Sequence, residues 1–264
     1  MYTGNDHIIL FDMDGTLSEP RKKVNISIIN PMIRLSRCAD IGIVTGSPME
    51  YLEQQCHPLW DVIGHCTTLF PCNGTKKYVF GSDEKFTLYK ESNMIEEIGR
   101  KSYNAIIAEC AKKQHQMMYN QDLPFTGTFL QYRGSLLNWC PIGRDSGDDE
   151  RKAWIDIDNE KNIREKYKIK LESFIDSHNI PLTVALGGST SFDIYPNGWD
   201  KTYVLNHLTN YDKIYFVGDK CTGSGNDRTL YEKLLPFNTS YETKNPAKTV
   251  QIIEEIITKL GCQS

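Results

Sequence analysis

Ile8-Ile9-Leu10-Phe11-Asp12-Met13-Asp14-Gly15-Thr16 decides how the rest of the chain is read. Four consecutive apolar residues predict a short strand buried on both faces, the type found in parallel sheets. It runs straight into two carboxylates one residue apart, then a glycine and a hydroxyl. That set suits phosphoryl transfer: Asp12 can attack phosphorus while Asp14 handles the proton of the departing or attacking oxygen. Two anions beside a phosphate repel each other, so the motif calls for a hard, oxygen-seeking cation, best met by Mg²⁺. Gly15 permits the sharp turn, and Thr16 with the following N–H groups offers donors to phosphate oxygens. A calcium loop would place its glycine later and add a distal Glu.

Two other segments share this build. Ile41-Gly42-Ile43-Val44 leads into Thr45-Gly46-Ser47, and Ile214-Tyr215-Phe216-Val217 leads into Gly218-Asp219-Lys220. In an open parallel α/β sheet the C-terminal strand ends converge, and ligands bind there. Asp219 then completes a metal site with Asp12, and Thr45 or Ser47 meets the transferring phosphoryl group. Lys201 supplies a fixed positive charge. Asn226-Asp227, after Gly223-Ser224-Gly225, are expected to support the ligands from behind, as is Thr16.

Composition narrows the classes. The chain has 264 residues and a net charge of −4, which excludes a general nucleic-acid binder; an acidic protein that handles phosphates must gather its positive charge locally. No stretch approaches the ~20 apolar residues of a membrane span. The first apolar run is too brief for a secretory leader and carries the aspartates. Eight scattered cysteines without a Cys-x-x-Cys pair read as reduced thiols, and the expected compartment is the cytoplasm. Cys56, His57, His65, Cys66 and Cys72 lie close in sequence. Their spacing matches no common zinc finger or ribbon, so they read as buried thiols and loop histidines.

The organisation is α/β with an insertion. Ile8 to Phe11 and Ile41 to Val44 are strands separated by a helix around Ile28 to Cys38, as in a parallel crossover sheet. At the other end Asn245-Pro246 opens a helix, Val250, Ile253, Ile256, Ile257 and Leu260 share its apolar face, and Gly261 stops it. The middle differs: Thr126 to Arg133, Ser135 to Trp139, Leu182 to Leu186 and Thr190 to Tyr195 are strand-like. An amphipathic helix carrying Ile163, Tyr167, Leu171 and Phe174 lies between them. The expected domains are a catalytic core of residues 1–87 and 197–264 and an inserted α+β cap of residues 88–196, an antiparallel sheet backed by helices.

The order Asp-x-Asp-Gly-Thr, hydroxyl-bearing strand end, Lys, Gly-Asp resembles the haloacid dehalogenase (HAD) superfamily of aspartate-dependent phosphotransferases, with a Rossmann-type parallel-sheet core. Phe11 to Arg21 (FDMDGTLSEPR), Tyr132 to Arg151, Gly187 to Lys201 (GGSTSFDIYPNGWDK) and Ile214 to Asp227 (IYFVGDKCTGSGND) sharpen it to the eukaryotic-type phosphomannomutases. Pro141-Ile142-Gly143-Arg144 and Pro196-Asn197-Gly198-Trp199-Asp200-Lys201 are the more specific segments. The resemblance implies an isomerase that interconverts mannose 6-phosphate and mannose 1-phosphate through an aspartyl-phosphate and a hexose 1,6-bisphosphate, which also activates it. It further implies Mg²⁺ held by Asp12, Asp219 and the Asp14 backbone carbonyl, a role in GDP-mannose synthesis, and a homodimer joined through the cap. The chain departs from the family pattern at Thr45 (usually Gly) and at Cys72 (usually Glu). The segment after Asp227 lacks the acidic loop that would hold a further structural cation.

A mutase needs two phosphate sites, because its bisphosphate must turn round and present either end to one aspartate. Arg133, Arg144 and Arg151 are forked, permanently charged donors for the second site. By resemblance all three bind the non-transferring phosphate, and Arg21 falls at the core–cap junction. Strand period puts Ser191 and Asp193 on one face and Phe192 and Ile194 on the other, so the first pair suits sugar hydroxyls. A sugar-phosphate phosphatase of the same fold would not need the three arginines. A non-catalytic sugar-phosphate sensor would not need both Asp12 and Asp14.

Overall fold

The structure, a computed structural model, describes residues 6–119 and 122–261. Its strands are β1 (His7–Phe11), β2 (Asp40–Val44), β3 (Thr67–Phe70), β4 (Lys76–Phe80), β5 (Phe86–Glu91), β6 (Leu130–Tyr132), β7 (Leu137–Trp139), β8 (Leu182–Gly187), β9 (Ser191–Pro196), β10 (Lys213–Gly218) and β11 (Ser240–Glu242). They form a seven-stranded sheet in the order β11-β10-β1-β2-β3-β4-β5 and a four-stranded sheet in the order β6-β7-β9-β8. The chain divides into two compact units, Met1–Glu91 with Gly198–Ser264 and Ser92–Asn197.

In the first unit β11, β10, β1, β2 and β3 run parallel, and β4 and β5 turn back antiparallel. The unbroken apolar run of β1 follows from cover on both faces. Ile9 and Phe11 pack with Ile28, Met32, Ile253 and Ile256, while Ile8 and Leu10 pack with Phe70, Val204 and Leu230. The chain leaves β1 for β2 on one side and returns to it through β10 on the other. Strand order therefore reverses at β1, the position where α/β sheets open a ligand crevice.

Local signals set the flanking helices. The last helix, Pro246–Leu260, is capped by the Asn245 side chain on Lys248 N and ends at Gly261 with φ +70°. The first, expected from Ile28, begins at Ile26 because the Asn25 side chain caps Ser27 N, and it closes at Leu35.

In the second unit Phe192 and Ile194 are fully buried, and the Phe192 ring stacks on Trp139 at 4.6 Å between centroids. The helices Arg100–Met117 and Ile163–Ser177 pack on this sheet. The strand expected over Thr126 to Arg133 shortens to β6. Gly127 (φ +133°) and Thr128 (φ +52°) break the ladder, and Thr126 N and Phe129 O bond instead to Ile142 O and Cys140 N. Of the cysteines, Cys56, Cys66, Cys110, Cys140 and Cys221 are free and buried, whereas Cys38 is disulfide-bonded. No helix among the described residues is long and apolar enough to cross a membrane.

Candidate active site

Asp12 follows the last residue of β1 and is held there by its N–H, which donates to Val217 O at 2.9 Å. Its carboxylate is buried and accepts from Lys201 Nζ. The same ammonium donates to Asp227, so one fully buried lysine bridges two buried carboxylates. Asp227 is engaged on its other oxygen too, where it accepts from Asp219 N at 3.1 Å and Lys220 N at 2.9 Å. Asp227 thus fixes both the lysine and the turn after β10. Asp12, Asp219 and Asp227 each offer a carboxylate oxygen within 4.8 Å of the others, the cation-type cluster found among the described residues.

Its electrostatics show what it lacks. Burial, then the Asp227 carboxylate, push Asp12 up to about 7 against the pull of Lys201. Burial raises Asp219 as well. Burial opposes the charge of Asp227, but Lys201 and the backbone donors win and hold it below the usual carboxylate range. Burial likewise opposes the charge of Lys201, and its two carboxylates more than restore it. Asp219 Oδ1 and Thr16 Oγ1 are buried without a hydrogen-bond partner. A surplus of hard oxygen donors, two of them raised in pKa and one orphaned, fits a divalent oxygen-seeking cation.

Gly15 makes this possible. Its φ is +88°, and a Cβ there would overlap the Asp219 carboxylate. Asp14 stands apart from the cluster: its Oδ1 accepts from Arg21 N at 3.1 Å. Arg21 itself is exposed, with φ +62°. After β2, Thr45 is buried and its Oγ1 accepts from Ser47 N at 3.1 Å. Asn226 is exposed. Sequence reasoning expected Asp227 to support the ligands from behind; the structure sets its carboxylate within the cluster itself, sharing Lys201 with Asp12.

One element was missed altogether. Cys72, Asn73 and Gly74 all have positive φ (+52°, +61°, +86°). Cys72 N and Asn73 N donate to Ser47 O (3.0 Å) and Thr45 O (2.8 Å), and Gly74 O accepts from His207 at 2.8 Å. A Gly74 Cβ would lie 2.9 Å from the backbone of Val204. This strained turn braces the Thr45–Ser47 loop on one side and the 3₁₀ helix Lys201–His207 on the other. Its signal was the Asn-Gly pair alone.

In the second unit the predicted residues fall into two groups. Arg151 is braced: its guanidinium donates to Ser146 O (3.1 Å), Thr190 Oγ1 (3.1 Å) and Arg144 O (3.3 Å). Arg144 lies on that same turn, half-buried, and no hydrogen bond or ion pair ties its guanidinium to a described residue. Arg133 Nε donates to Gln131 at 3.1 Å. Ser191 and Asp193 do share a face of β9, but Ser191 is buried and its hydroxyl donates to Gly187 O at 2.7 Å. Asn138 of β7, absent from the sequence reading, donates to both Ser191 Oγ (3.1 Å) and Asp193 Oδ1 (2.7 Å).

Comparison with known proteins places the chain. Residues 28–259 match the model of the eukaryotic phosphomannomutase family. The chain is 32% identical to a Drosophila melanogaster phosphomannomutase over 95% of both chains, and 32% identical to one from Saccharomyces cerevisiae over 94% of this chain and 93% of the other. Among solved structures, a Plasmodium falciparum IMP-nucleotidase (14% identity, TM-score 0.66, 97% of this chain and 67% of that one) shares the fold. So does a haloacid dehalogenase-like hydrolase from Bacteroides thetaiotaomicron (15% identity, TM-score 0.53, 95% and 99%). The chain, with its HAD-like core and full-length similarity, belongs to the eukaryotic phosphomannomutase family.

Proposed function

We propose that the protein interconverts mannose 6-phosphate and mannose 1-phosphate, with a hexose 1,6-bisphosphate as intermediate and activator, and so supplies GDP-mannose synthesis in the cytoplasm. The observation that carries the mutase reading beyond the family is the half-buried Arg144 guanidinium, which no described side chain engages.

In this reading Asp12 attacks the phosphoryl group: an Asp12 Oδ–P bond forms as the sugar O–P bond breaks. Asp14 gives its proton to the departing sugar oxygen and later takes one from the attacking hydroxyl. Thr45, Ser47 and Thr16 face the phosphoryl oxygens, and Lys201 offsets their charge and fixes Asp12. Asp12, Asp219 and the Asp14 backbone carbonyl would hold Mg²⁺, supported by Asp227; the cation would neutralise charge on the transferring phosphoryl group. Arg144, with Arg133 and the braced Arg151, binds the phosphate that is not reacting, and Arg21 contributes to substrate binding on family grounds. Asp193 takes a sugar hydroxyl. A homodimer through the 92–197 unit completes the reading on family grounds.

Replacing Arg144 with Ala tests the second phosphate site. Loss of one charge-assisted contact is worth roughly 1.5–3 kcal/mol, or about ten- to a hundredfold in binding. The bisphosphate should then escape before turning round, so isomerisation falls more steeply than hydrolysis of a small phosphodonor. Parallel phosphorus NMR assays give that ratio. Equal loss of both activities, or no change in either, would favour a phosphatase.

A further inference from the structure

We propose that Asn138 positions the Asp193 carboxylate for a sugar hydroxyl and thereby sets how sharply one hexose phosphate is told from another. The inference rests on the assignment of Asp193 to the sugar made above.

Asn138 is buried, and its amide nitrogen faces three acceptors: Asp193 Oδ1 at 2.7 Å, Ser191 Oγ at 3.1 Å and Phe192 O at 3.3 Å. An NH₂ group has two hydrogens, and the carboxylate oxygen, nearest of the three acceptors, takes the better share. The opposite amide orientation would turn Oδ1 onto the Asp193 carboxylate, so the acceptors fix the flip. At the other end, Asn138 Oδ1 is buried with no partner. A side chain kept for packing alone would not leave a buried acceptor unmet; its nitrogen is what the site uses.

The carboxylate is shaped from its other side by Gly187. A Cβ at that position would lie 2.7 Å from Asp193 Oδ2 and 2.8 Å from Ser191 Oγ. Asp193 Oδ2 therefore lies over bare backbone, on a half-buried residue, with no described donor of its own. The Ser191 hydroxyl is spent within the protein, giving its hydrogen to Gly187 O and receiving one from Asn138. What remains is one fixed carboxylate oxygen free to accept. Such an oxygen accepts from a ligand O–H and rejects a ligand that lacks the hydroxyl or carries it on the other face of the ring.

The test compares Asn138→Ala, Gly187→Ala and Asp193→Ala. Each is assayed with mannose 1-phosphate, with its deoxy and epimeric analogues, and with acetyl phosphate, which loads Asp12 but has no sugar. For Asn138→Ala we expect KM for mannose 1-phosphate to rise about tenfold and selectivity over the analogues to narrow by a similar factor. Loading from acetyl phosphate should be unchanged. Gly187→Ala, whose Cβ would crowd both Asp193 Oδ2 and Ser191 Oγ, should narrow selectivity in the same way and tests the placement of the carboxylate if Asn138→Ala does not fold. Unmoved selectivity in both variants, while Asp193→Ala alters it, overturns the inference and leaves the sugar role of Asp193 standing. If Asp193→Ala leaves selectivity unmoved, that role falls and the inference with it. Equal losses with acetyl phosphate and hexose phosphate would make Asn138 structural and overturn the proposal.

Discussion

Asp12→Asn is expected to abolish turnover, by a factor on the order of 10⁴ or more, while leaving the protein folded. The amide is not a nucleophile and is a weak cation ligand. Its fold should survive because Lys201 keeps Asp227 as a partner and the backbone bond to Val217 O is unaffected. The sign of the stability change also follows. Asp12 is raised to about 7, so the folded protein prefers it protonated; that contribution is present below the ordinary 3.8 and is lost as pH rises through about 7. A neutral amide lacks this dependence. The metal-free variant should therefore compare with wild type more favourably at pH 8 than at pH 5. Phosphoenzyme trapping and thermal melts at both pH values check this. Activity within tenfold of wild type would assign the nucleophile elsewhere.

Lys201→Met should do the reverse, damaging fold and activity together. It leaves Asp12 and Asp227 facing each other in a buried site without the cation that both contact. Breaking such a buried network by removing one partner costs about 3–5 kcal/mol. For a chain of this size that is a fall in Tm of about 6–20 °C in metal-free protein. The deficit should grow with pH. Asp227, held low by Lys201 in wild type, contributes stability above its ordinary 3.8, and that contribution disappears; Asp12, no longer pulled down, resists ionisation further. A change in Tm under about 2 °C at pH 8 would mean that the lysine is not the bridge described here.

The parallel strands of the large sheet were the most legible part of the molecule. Ile8 to Phe11 had to be buried on both faces because four apolar residues in succession leave no polar face, and packing around β1 bears that out. The last helix was equally plain, with Asn-Pro at one end and Gly261 at the other. The helix Arg100–Met117 was not seen, for a specific reason. Among its buried residues are Glu109 and Gln114, so its inward face does not read as apolar. Glu109 is paired with Lys113 at 2.9 Å, and Gln114 accepts from Trp139 Nε1 at 2.7 Å and donates to Pro141 O at 2.9 Å. Strands β4 and β5 escaped because their residues are half-buried or exposed and lack a clean alternation. Among the candidate site residues, the aspartates announced themselves through spacing, whereas nothing in the sequence singled out Asn138. A lone Asn in a three-residue strand carries no signal until register sets it opposite Asp193.

The central claim, that Asp12 transfers a phosphoryl group between two positions of one hexose and does not release it to water, is tested most directly by phosphorus NMR. Mannose 1-phosphate is incubated with the protein, Mg²⁺ and a catalytic amount of hexose 1,6-bisphosphate. The account predicts a mannose 6-phosphate signal that grows to a steady ratio, little inorganic phosphate, and a marked slowing when the bisphosphate is omitted. Inorganic phosphate as the main product, with no mannose 6-phosphate at any time, would contradict it.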